Sequence, residues 1–322
     1  MIELKATQNA MQAESKACVR TPWKKKLNKV TRNWVLYLFL LPTLIYLLIF
    51  NYWPMYGVQI AFRNFKPTKG IWGSPWVGMK NFDKFFHSYM FKDLLTNTIV
   101  LSVYQIVASF AFPILLALLL NYCVSNKLRK VTQMVTYAPH FISTVVLVGM
   151  LNVFLSESGI INHLLNLLGL RSVPFLSDAG MFRHIYVWSH IWQRTGYNSV
   201  IYIAALAGVN PELHEAAIVD GANKLQRIFH VTLPGLVPVI TIQFIMWVGF
   251  TMTLGYEKNL LLYNPAIYET ADVIGTYMYR YCLMNTKYGL GAAVGVFNTV
   301  VNIILLFSVN ALFKRFSENS LW

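Results

Sequence analysis

The chain has 322 residues, of which 56% are hydrophobic, 15% aromatic and only 12% charged, and its mean hydropathy is +0.47. Soluble domains typically have about 25% charged residues, so this composition excludes an ordinary soluble enzyme, and the many apolar side chains exclude a disordered chain. The net charge of +14 indicates membrane orientation rather than nucleic-acid binding. Three widely separated cysteines (Cys18, Cys123 and Cys282) without a CxxC pair argue against a disulfide framework or a zinc site.

Six apolar stretches predict six transmembrane helices of about 20 residues each. The first follows Lys24-Lys25-Lys26 but lacks a small-residue cleavage site, so we expect it to remain as a span rather than act as a signal peptide. The predicted fold class is therefore an all-α integral membrane protein, with a basic segment at 1–33 and a transmembrane domain at 34–322. The predicted spans are Trp34–Trp53, Leu94–Tyr122, Val131–Leu155, Ile185–Val209, Leu236–Tyr256 and Gly291–Phe313.

The distribution of basic residues predicts the orientation. Connections on the side of both termini carry 15 Lys and Arg residues, and the longer connections on the other side carry 11, six of them at 51–93. The denser side is expected to be cytoplasmic, which places both termini there. The outer connections are rich in aromatic residues, which is typical of a membrane interface and also of a docking surface for an extracytoplasmic partner.

The connection at 210–234 is predicted to form a short helical hairpin. Asn210-Pro211-Glu212 is typical of a helix start, since Asn caps, Pro suits the first position and Glu favours the positive end of the helix dipole. Asp220-Gly221 allows a bend, because glycine tolerates positive φ. A second short helix is expected from Lys224 to Val231, with Leu233-Pro234 ending it before the next span. The hairpin suits contact with another protein; a helix lying on lipid headgroups is disfavoured by its acidic side chain.

The same connection resembles the "EAA" loop of the permeases of binding-protein-dependent ABC importers. The motif reads Glu215-Ala216-Ala217-x3-Gly221-x9-Val231-x-Leu233-Pro234, with Val231 in place of the usual Ile. Similarity to the carbohydrate-importer subset extends over most of the chain from residue 34. It includes Asp220, Ala222, Phe229, Pro238, Pro54-Met55-Tyr56, Pro139-x-Phe141-Ile142-Ser143, and Trp192 with Gly196. The run from Tyr256-Glu257-Lys258-Asn259 through Tyr263-Asn264-Pro265 to Asp272-Val273-Ile274 resembles the polysaccharide and lipopolysaccharide branch, which includes alginate-type importers.

This resemblance implies a six-helix bundle of the type I importer kind in the bacterial cytoplasmic (inner) membrane. It implies pairing with a second permease, commonly a different chain, together with two ATPase subunits and an extracytoplasmic solute-binding protein. The chain would be no enzyme and would hold no cofactor, since ATP and Mg would bind the partner ATPases. Glu215 would pair with a basic residue of the ATPase, and Gly221 would make the bend. The residues implied in ATPase coupling are Glu215, Ala216, Ala217, Asp220, Gly221, Leu233 and Pro234.

Catalytic motifs are absent from the sequence. No Gly-Lys dipeptide occurs, so there is no Walker-type phosphate loop, and His214-Glu215 lacks the second His of a zinc protease because Ile218 stands there. All thirteen acidic residues lie outside the predicted spans, which disfavours proton- or ion-coupled transport. Two alternatives remain open: a secondary sugar transporter and a membrane enzyme acting on lipid-linked sugars.

Polar side chains inside the spans are candidates for the substrate pathway, because such groups are costly in lipid. Placement relative to Pro139, Trp192 and Pro234, by similarity to maltose-importer permeases, indicates seven positions. Arg194, taken as about one turn inside the end of span four, suits a carboxylate of an acidic saccharide and equally suits snorkelling to headgroups. The predicted function is the permease subunit of an ATP-driven importer for an oligo- or polysaccharide, forming half of the pathway. The seven positions are His140, His190, Gln193, Arg194, Trp247, Phe250 and Thr251.

Overall fold

The computed structural model describes residues 33–249 and 256–316, and almost all regular structure in these ranges is helical. Short 3-10 segments at Tyr56–Phe62, Pro67–Lys69, Ala138–Phe141 and Pro265–Ile267 and π-type segments at Leu48–Tyr52, Ile228–Thr232 and Met278–Leu283 connect or extend the α-helices. The α-helices are α1 (Trp34–Leu47), α2 (Trp53–Met55), α3 (Gly70–Gly73), α4 (Lys80–Phe86), α5 (Phe91–Asn121), α6 (Asn126–Tyr137), α7 (Thr144–Phe154), α8 (Ile160–Leu167), α9 (Ala179–Leu206), α10 (Pro211–Val219), α11 (Lys224–Arg227), α12 (Leu233–Gly249), α13 (Tyr256–Leu262), α14 (Tyr268–Ala271), α15 (Ile274–Tyr277) and α16 (Tyr288–Phe316).

The chain divides into two compact units, residues 1–58 and 59–322. In the described part of the first unit, α1 runs through a π-type segment into α2 as an almost entirely apolar helix. The basic segment predicted at 1–33 lies outside the described residues apart from Asn33. The second unit contains every element from α3 onward.

Four helical stretches in the described ranges are long and apolar enough to cross a membrane: Trp34–Phe62, Phe91–Asn121, Lys224–Gly249 and Tyr288–Arg315. They correspond to the first, second, fifth and sixth predicted spans. A bent helix pair at 126–154 makes a fifth if it is counted as one span. The fourth predicted span corresponds to α9, whose 28 residues extend about 42 Å. Because it has many polar side chains, α9 is not among the four helices that are apolar enough to cross a membrane. The expected all-helical class is confirmed.

The third predicted span, Val131–Leu155, is wrong as a single helix. Helices α6 and α7 meet at 99°, because the 3-10 segment at Pro139 is followed by extended backbone at Ile142 (ψ 126°). Ser143 then begins a new helix, since its hydroxyl accepts a hydrogen bond from the Val146 N–H at 3.3 Å.

The expected helix end at Leu233-Pro234 is also wrong. The helix that starts at Lys224 continues through a π-type segment at 228–232 into α12 and reaches Gly249. Pro234 has no N–H to donate within a regular α-helix, and the wider π-type turn just before it accommodates this loss. The 210–232 connection and span five therefore share one continuous helix.

Side-chain contacts define two opposite ends of the second unit. At the 210–232 end, the Tyr122 and Thr232 hydroxyls lie 2.8 Å apart, and Ala117, Leu206 and Leu236 form a buried cluster with Tyr202. At the opposite end, the N-termini of α5, α9 and α16 gather around residues 59–90 and 263–287. This end is called the 263–287 end below.

Buried polar groups fix the 263–287 end. The Asn97 amide donates to the carbonyls of Glu269 (2.8 Å) and Asp272 (3.1 Å) and accepts from Arg183 (2.8 Å). The Asp272 carboxylate in turn accepts from Arg280 and Thr276, each at 2.6 Å. Since buried amide and carboxylate groups are costly without partners, these bonds hold the segment in one conformation.

Candidate functional sites

The first helix of the hairpin at 210–232 and the bend after it have the geometry that the sequence predicts. Asn210 caps α10 by accepting a hydrogen bond from the Glu212 N–H at 3.0 Å. Gly221 has a φ of +79°, which confirms the predicted bend, and the Ala222 N–H donates to the Ala217 carbonyl at 2.9 Å. These contacts rigidify the turn between α10 and the following helix.

The surface of this hairpin is open. Glu215, Ala216 and Asp220 are exposed, Ala217 is half-buried, and neither Glu215 nor Asp220 belongs to an ion pair of the described residues. Leu213, Ile218, Val219, Leu225 and Phe229 expose between 54% and 85% of their surface here. Leu233 is half-buried and Pro234 exposed on the continuing helix. A connection with small residues, exposed apolar side chains and carboxylates outside any ion pair of the described residues is suited to dock into another protein.

In the middle of α9, Arg194 contacts a residue of a different segment. Its Nη1 lies 3.1 Å from Nδ1 of His140. The His140 ring is stacked on the Tyr197 ring, with 3.7 Å between centroids and an interplanar angle of 4°. The structure thereby brings together two of the predicted pathway residues and adds a third residue, the aromatic Tyr197.

The predicted depth of Arg194, one turn inside the end of span four, is wrong. Helix α9 begins at Ala179, where Asp178 caps it by accepting from the Gly180 N–H at 2.7 Å. Arg194 therefore lies about 22 Å along the helix axis from its start, near its middle. A side chain at this position is distant from both helix ends, and its guanidinium contacts His140.

Tyr197 connects this pair to a cavity between α5, α9 and α12. The cavity has a volume of about 360 Å³, and its lining includes Ser109, Tyr197, Asn198, Gln243 and Trp247. Aromatic faces and amide groups lie side by side there, which is a combination that suits sugar rings and their hydroxyl groups. Trp247 and Tyr197 line this cavity together, whereas Arg194 and His140 are not among its lining residues.

The remaining predicted pathway residues lie elsewhere. Gln193 is buried, and its amide donates to the Ile142 carbonyl at 2.7 Å, so it fixes the break between α6 and α7. His190 Nε2 is 3.4 Å from Gln105 Nε2, and neither residue lines the cavity. Phe250 and Thr251 lie outside the described residues.

Sequence reasoning missed Tyr197 and a buried cation, Lys258. The Lys258 ammonium donates to the Tyr186 carbonyl at 2.8 Å and lies 4.6 Å from the centroid of the Tyr186 ring. The ion pairs of the described residues are His87–Asp83 and Arg280–Asp272, so neither Arg194 nor Lys258 has a carboxylate partner there. The lysine in the run Glu257-Lys258-Asn259 before three leucines was the available signal, because a charge beside an apolar run needs a specific partner.

Comparison with known proteins places this geometry in a family. Residues 109–318 match the model of the binding-protein-dependent transport system inner membrane component family. The chain is 40% identical over 93% of its length to the polygalacturonan/rhamnogalacturonan transport system permease protein YteP of Bacillus subtilis, covering 94% of that protein. It is also 40% identical to the LplB protein of Bacillus subtilis, over 89% of this chain and 91% of that protein.

A solved structure has the same fold. A chain from the crystal structure of a bacterial ABC transporter involved in the import of the acidic polysaccharide alginate superposes with a TM-score of 0.84 and 41% identity, over 90% of this chain and 99% of that chain. A second structure of an alginate ABC transporter, in complex with an alginate pentasaccharide-bound periplasmic protein, gives the same TM-score of 0.84 at 40% identity, over 91% of this chain and 99% of that chain.

The chain belongs to the family of inner membrane components of binding-protein-dependent transport systems. It is a multi-pass permease subunit of an ABC importer, and the family implies a second permease, an ATPase and a solute-binding protein as partners. The sequence-based assignment to the carbohydrate branch of these permeases, with the type I fold, is confirmed.

Proposed function

We propose that this permease forms half of the translocation pathway of a bacterial importer for acidic oligo- or polysaccharides. It pairs with a second, different permease, binds two ATPase subunits at the 210–232 end, and receives the substrate from a solute-binding protein at the 263–287 end. Both termini lie in the cytoplasm, in agreement with the distribution of basic residues. The relatives' names support the substrate class, since they include permeases for polygalacturonan and for alginate.

The observation that carries this proposal is the contact between Arg194 and His140 in the middle of α9. A guanidinium group binds carboxylates with directional, charge-assisted hydrogen bonds, and Arg194 has no carboxylate of its own in the described chain. His140 accepts one of its N–H groups and leaves the others free to bind a uronate. The rings of Tyr197 and Trp247 provide apolar faces for the sugar ring nearby.

Transport is driven from outside this chain. ATP and Mg bind the partner ATPases, whose closure moves α10 as a rigid body together with the helix that begins at Lys224. Glu215 pairs with a basic side chain of the ATPase, Ala216 and Ala217 allow close approach, and the corner at Asp220-Gly221 keeps the hairpin stiff. Leu233 and Pro234 transmit the movement into α12, and the pathway alternates between its two openings without chemistry in this chain.

The test is transport by the complete importer reconstituted in liposomes with its solute-binding protein. The Arg194→Ala variant is expected to raise the KM for trigalacturonate by about tenfold or more, since hydrogen bonds to charged groups contribute about 1.5–3 kcal/mol. Import of a neutral trisaccharide is expected to change little, and Arg171→Ala, an exposed arginine outside the site, serves as the control. Arg194→Lys keeps the charge and is expected to restore part of the affinity.

Three results would contradict the proposal. An unchanged KM for trigalacturonate in Arg194→Ala would remove the role of that side chain. A wild-type importer that carries only neutral saccharides would exclude the substrate class. Accumulation of substrate without ATPase subunits would favour a secondary transporter instead.

A further inference from the structure

We propose that a polar cavity at the 263–287 end is a second saccharide site, which binds one acidic sugar unit of the substrate before it reaches the pathway around Arg194. This inference rests on the proposed function, because it assumes that the cargo is an acidic saccharide. The cavity lies at the end of the chain opposite the hairpin, where an importer receives its cargo.

The cavity is concave and basic. Its volume is about 540 Å³, within the range of about 300–1,000 Å³ that is typical of small-ligand sites. Arg63, Lys84, His87 and Lys287 line it, whereas no Asp or Glu does. His87 is paired with Asp83 at 2.9 Å, so the remaining three cations leave the cavity with an excess of positive charge. Such an excess attracts an anionic ligand.

Tyrosine rings lie beside one of these cations, Lys287. The Lys287 ammonium lies 4.0 Å from the centroid of the Tyr281 ring, which itself stacks on the buried Tyr277 ring at 5.0 Å. This stack fixes the position of the ammonium group beside the cavity. Tyr89 is 89% exposed at the same cavity and offers a ring face to a sugar. Ammonium groups for a carboxylate and aromatic faces for a pyranose ring are thus present together.

The backbone before Lys287 is strained. Thr286 has a φ of 56° and is the one residue other than glycine with positive φ in the described ranges. This conformation is unusual for a β-branched side chain. The turn is held by hydrogen bonds from the Thr286 N–H to Leu283 O (3.0 Å) and from the Lys287 N–H to Cys282 O (2.7 Å). Strain of this kind concentrates at ligand-binding positions, and here it sets the direction of Lys287.

Arg63 is also held in place for binding. Its Nη1 donates to the Ser74 carbonyl at 2.9 Å, and its guanidinium lies 5.5 Å from the centroid of the Trp76 ring. These contacts fix the guanidinium of a residue that lines the cavity, where it can meet a carboxylate or a sugar hydroxyl of a bound saccharide.

The experiment measures binding of trigalacturonate to the full importer in nanodiscs of zwitterionic lipid, without the solute-binding protein. The Arg194→Ala background reduces binding in the membrane pathway, so the remaining binding reports the second site. In that background, Lys84→Ala with Lys287→Ala is expected to weaken binding by about tenfold or more, in line with the value of charge-assisted hydrogen bonds. Tyr89→Ala, at a highly exposed position that does not threaten folding, is expected to weaken it severalfold. Lys69→Ala, an exposed lysine outside the cavity, is the matched control.

Each outcome separates one explanation from another. If these variants bind and transport like the parent while transport remains dependent on Arg194, the second site is wrong and the proposed function stands. If the wild-type importer neither binds nor transports trigalacturonate, the proposed function fails first. Binding that is lost only when anionic lipid is added identifies a headgroup phosphate as the ligand. Variants that weaken the affinity for the sugar-free solute-binding protein, with sugar binding unchanged, identify a protein contact; either result overturns the saccharide assignment.

Discussion

Arg194 and His140 meet across a break in the helical bundle: the arginine lies on α9, the histidine lies in the 3-10 turn between α6 and α7, and their nitrogens are 3.1 Å apart. Arginine carries only donors, so Nδ1 of His140 is the acceptor and the ring proton lies on Nε2. A neutral histidine therefore orients the guanidinium without neutralising its positive charge, which stays available to an anionic ligand.

This relationship predicts the effect of removing the acceptor alone. His140→Phe keeps a ring to stack on Tyr197 but leaves the guanidinium unanchored. We expect the KM for an acidic trisaccharide to rise severalfold, by less than in Arg194→Ala, with little change in the maximal rate. Uptake kinetics in liposomes measure both quantities. An equal loss for neutral and acidic saccharides would show that His140 supports the fold rather than the arginine.

Two glutamates of α10 provide a matched test of coupling. Glu215→Gln is expected to reduce ATP-driven uptake by several-fold or more, because it removes the charge that is proposed to pair with the ATPase. Glu212→Gln, on an exposed glutamate of the same short helix, is expected to remain near the wild-type rate, with only a small loss of helix-dipole stabilisation. ATPase activity and uptake are measured together. Normal coupled uptake in Glu215→Gln would remove this residue from the coupling role.

Gly196 and Gly149 form a second matched pair. A Cβ at Gly196 would run into the backbone carbonyl of Thr136 on α6, whereas a Cβ at Gly149 would meet nothing within 4 Å. Gly196→Ala is therefore expected to force α6 and α9 apart at a cost of about 1–3 kcal/mol. Gly149→Ala is expected to be neutral or slightly stabilising, since alanine favours helix.

Thermal unfolding in detergent, followed on the purified chain, compares the two glycine variants. The expected result is a lower midpoint and a lower yield for Gly196→Ala alone. Equal midpoints would mean that the contact between α6 and α9 adjusts without cost.

The Arg280–Asp272 pair makes a prediction about pH. Burial raises the pKa of Asp272, while the contacts with Thr276 and Arg280 oppose this rise. Arg280→Met removes one opposing partner, so the pKa of Asp272 is expected to rise further. A carboxyl group whose pKa is raised by folding adds to the free energy of unfolding when the pH is below its pKa in the unfolded chain, about 3.9. This contribution is lost as the pH rises through its pKa in the folded protein. The variant is therefore expected to be destabilised more at pH 8 than at pH 5.

The control for this prediction is the double variant Asp272→Asn with Arg280→Met. The double variant has no carboxylate at this position to titrate. The change in its unfolding midpoint between pH 5 and pH 8 should therefore be closer to the change in the wild type than the change in Arg280→Met is. A single variant that is equally destabilised at both pH values would show that Asp272 stays ionised in the fold.

The sequence predicted the features that depend on local pattern. Apolar stretches located the long helices, and the cap at Asn210 and the corner at Gly221 followed from their residue types. The break at Ile142-Ser143 and the continuity through Pro234 were missed, although Pro139 and Ser143 were local signals for the first. The outcome at each proline depends on whether neighbouring elements support a break or a widened turn, which the local sequence does not specify.

The candidate sites were predictable only in part. Arg194, His140 and Trp247 were chosen from their type and position, but Tyr197 joins them only because α9 packs against both the 3-10 turn and α12. The cavity near Lys287 could not be predicted at all, because its two sides come from segments, 63–89 and 277–290, that are 188 or more positions apart. Contacts of such separation arise from the tertiary fold and carry no local signature.

In the proposed coupling, the uninterrupted helix from Lys224 to Gly249 would act as a lever arm. Its 26 residues measure about 39 Å at 1.5 Å per residue, so a tilt of only ~10° about one end displaces the other by about 7 Å. If the partner ATPase tilts this helix at Lys224, as proposed, its continuity through Pro234 would carry the movement to Trp247. The stiffness of the helix would thus enlarge a small movement of the ATPases. A flexible insertion after Thr232 would uncouple ATP hydrolysis from transport while leaving the ATPases and the helical bundle intact.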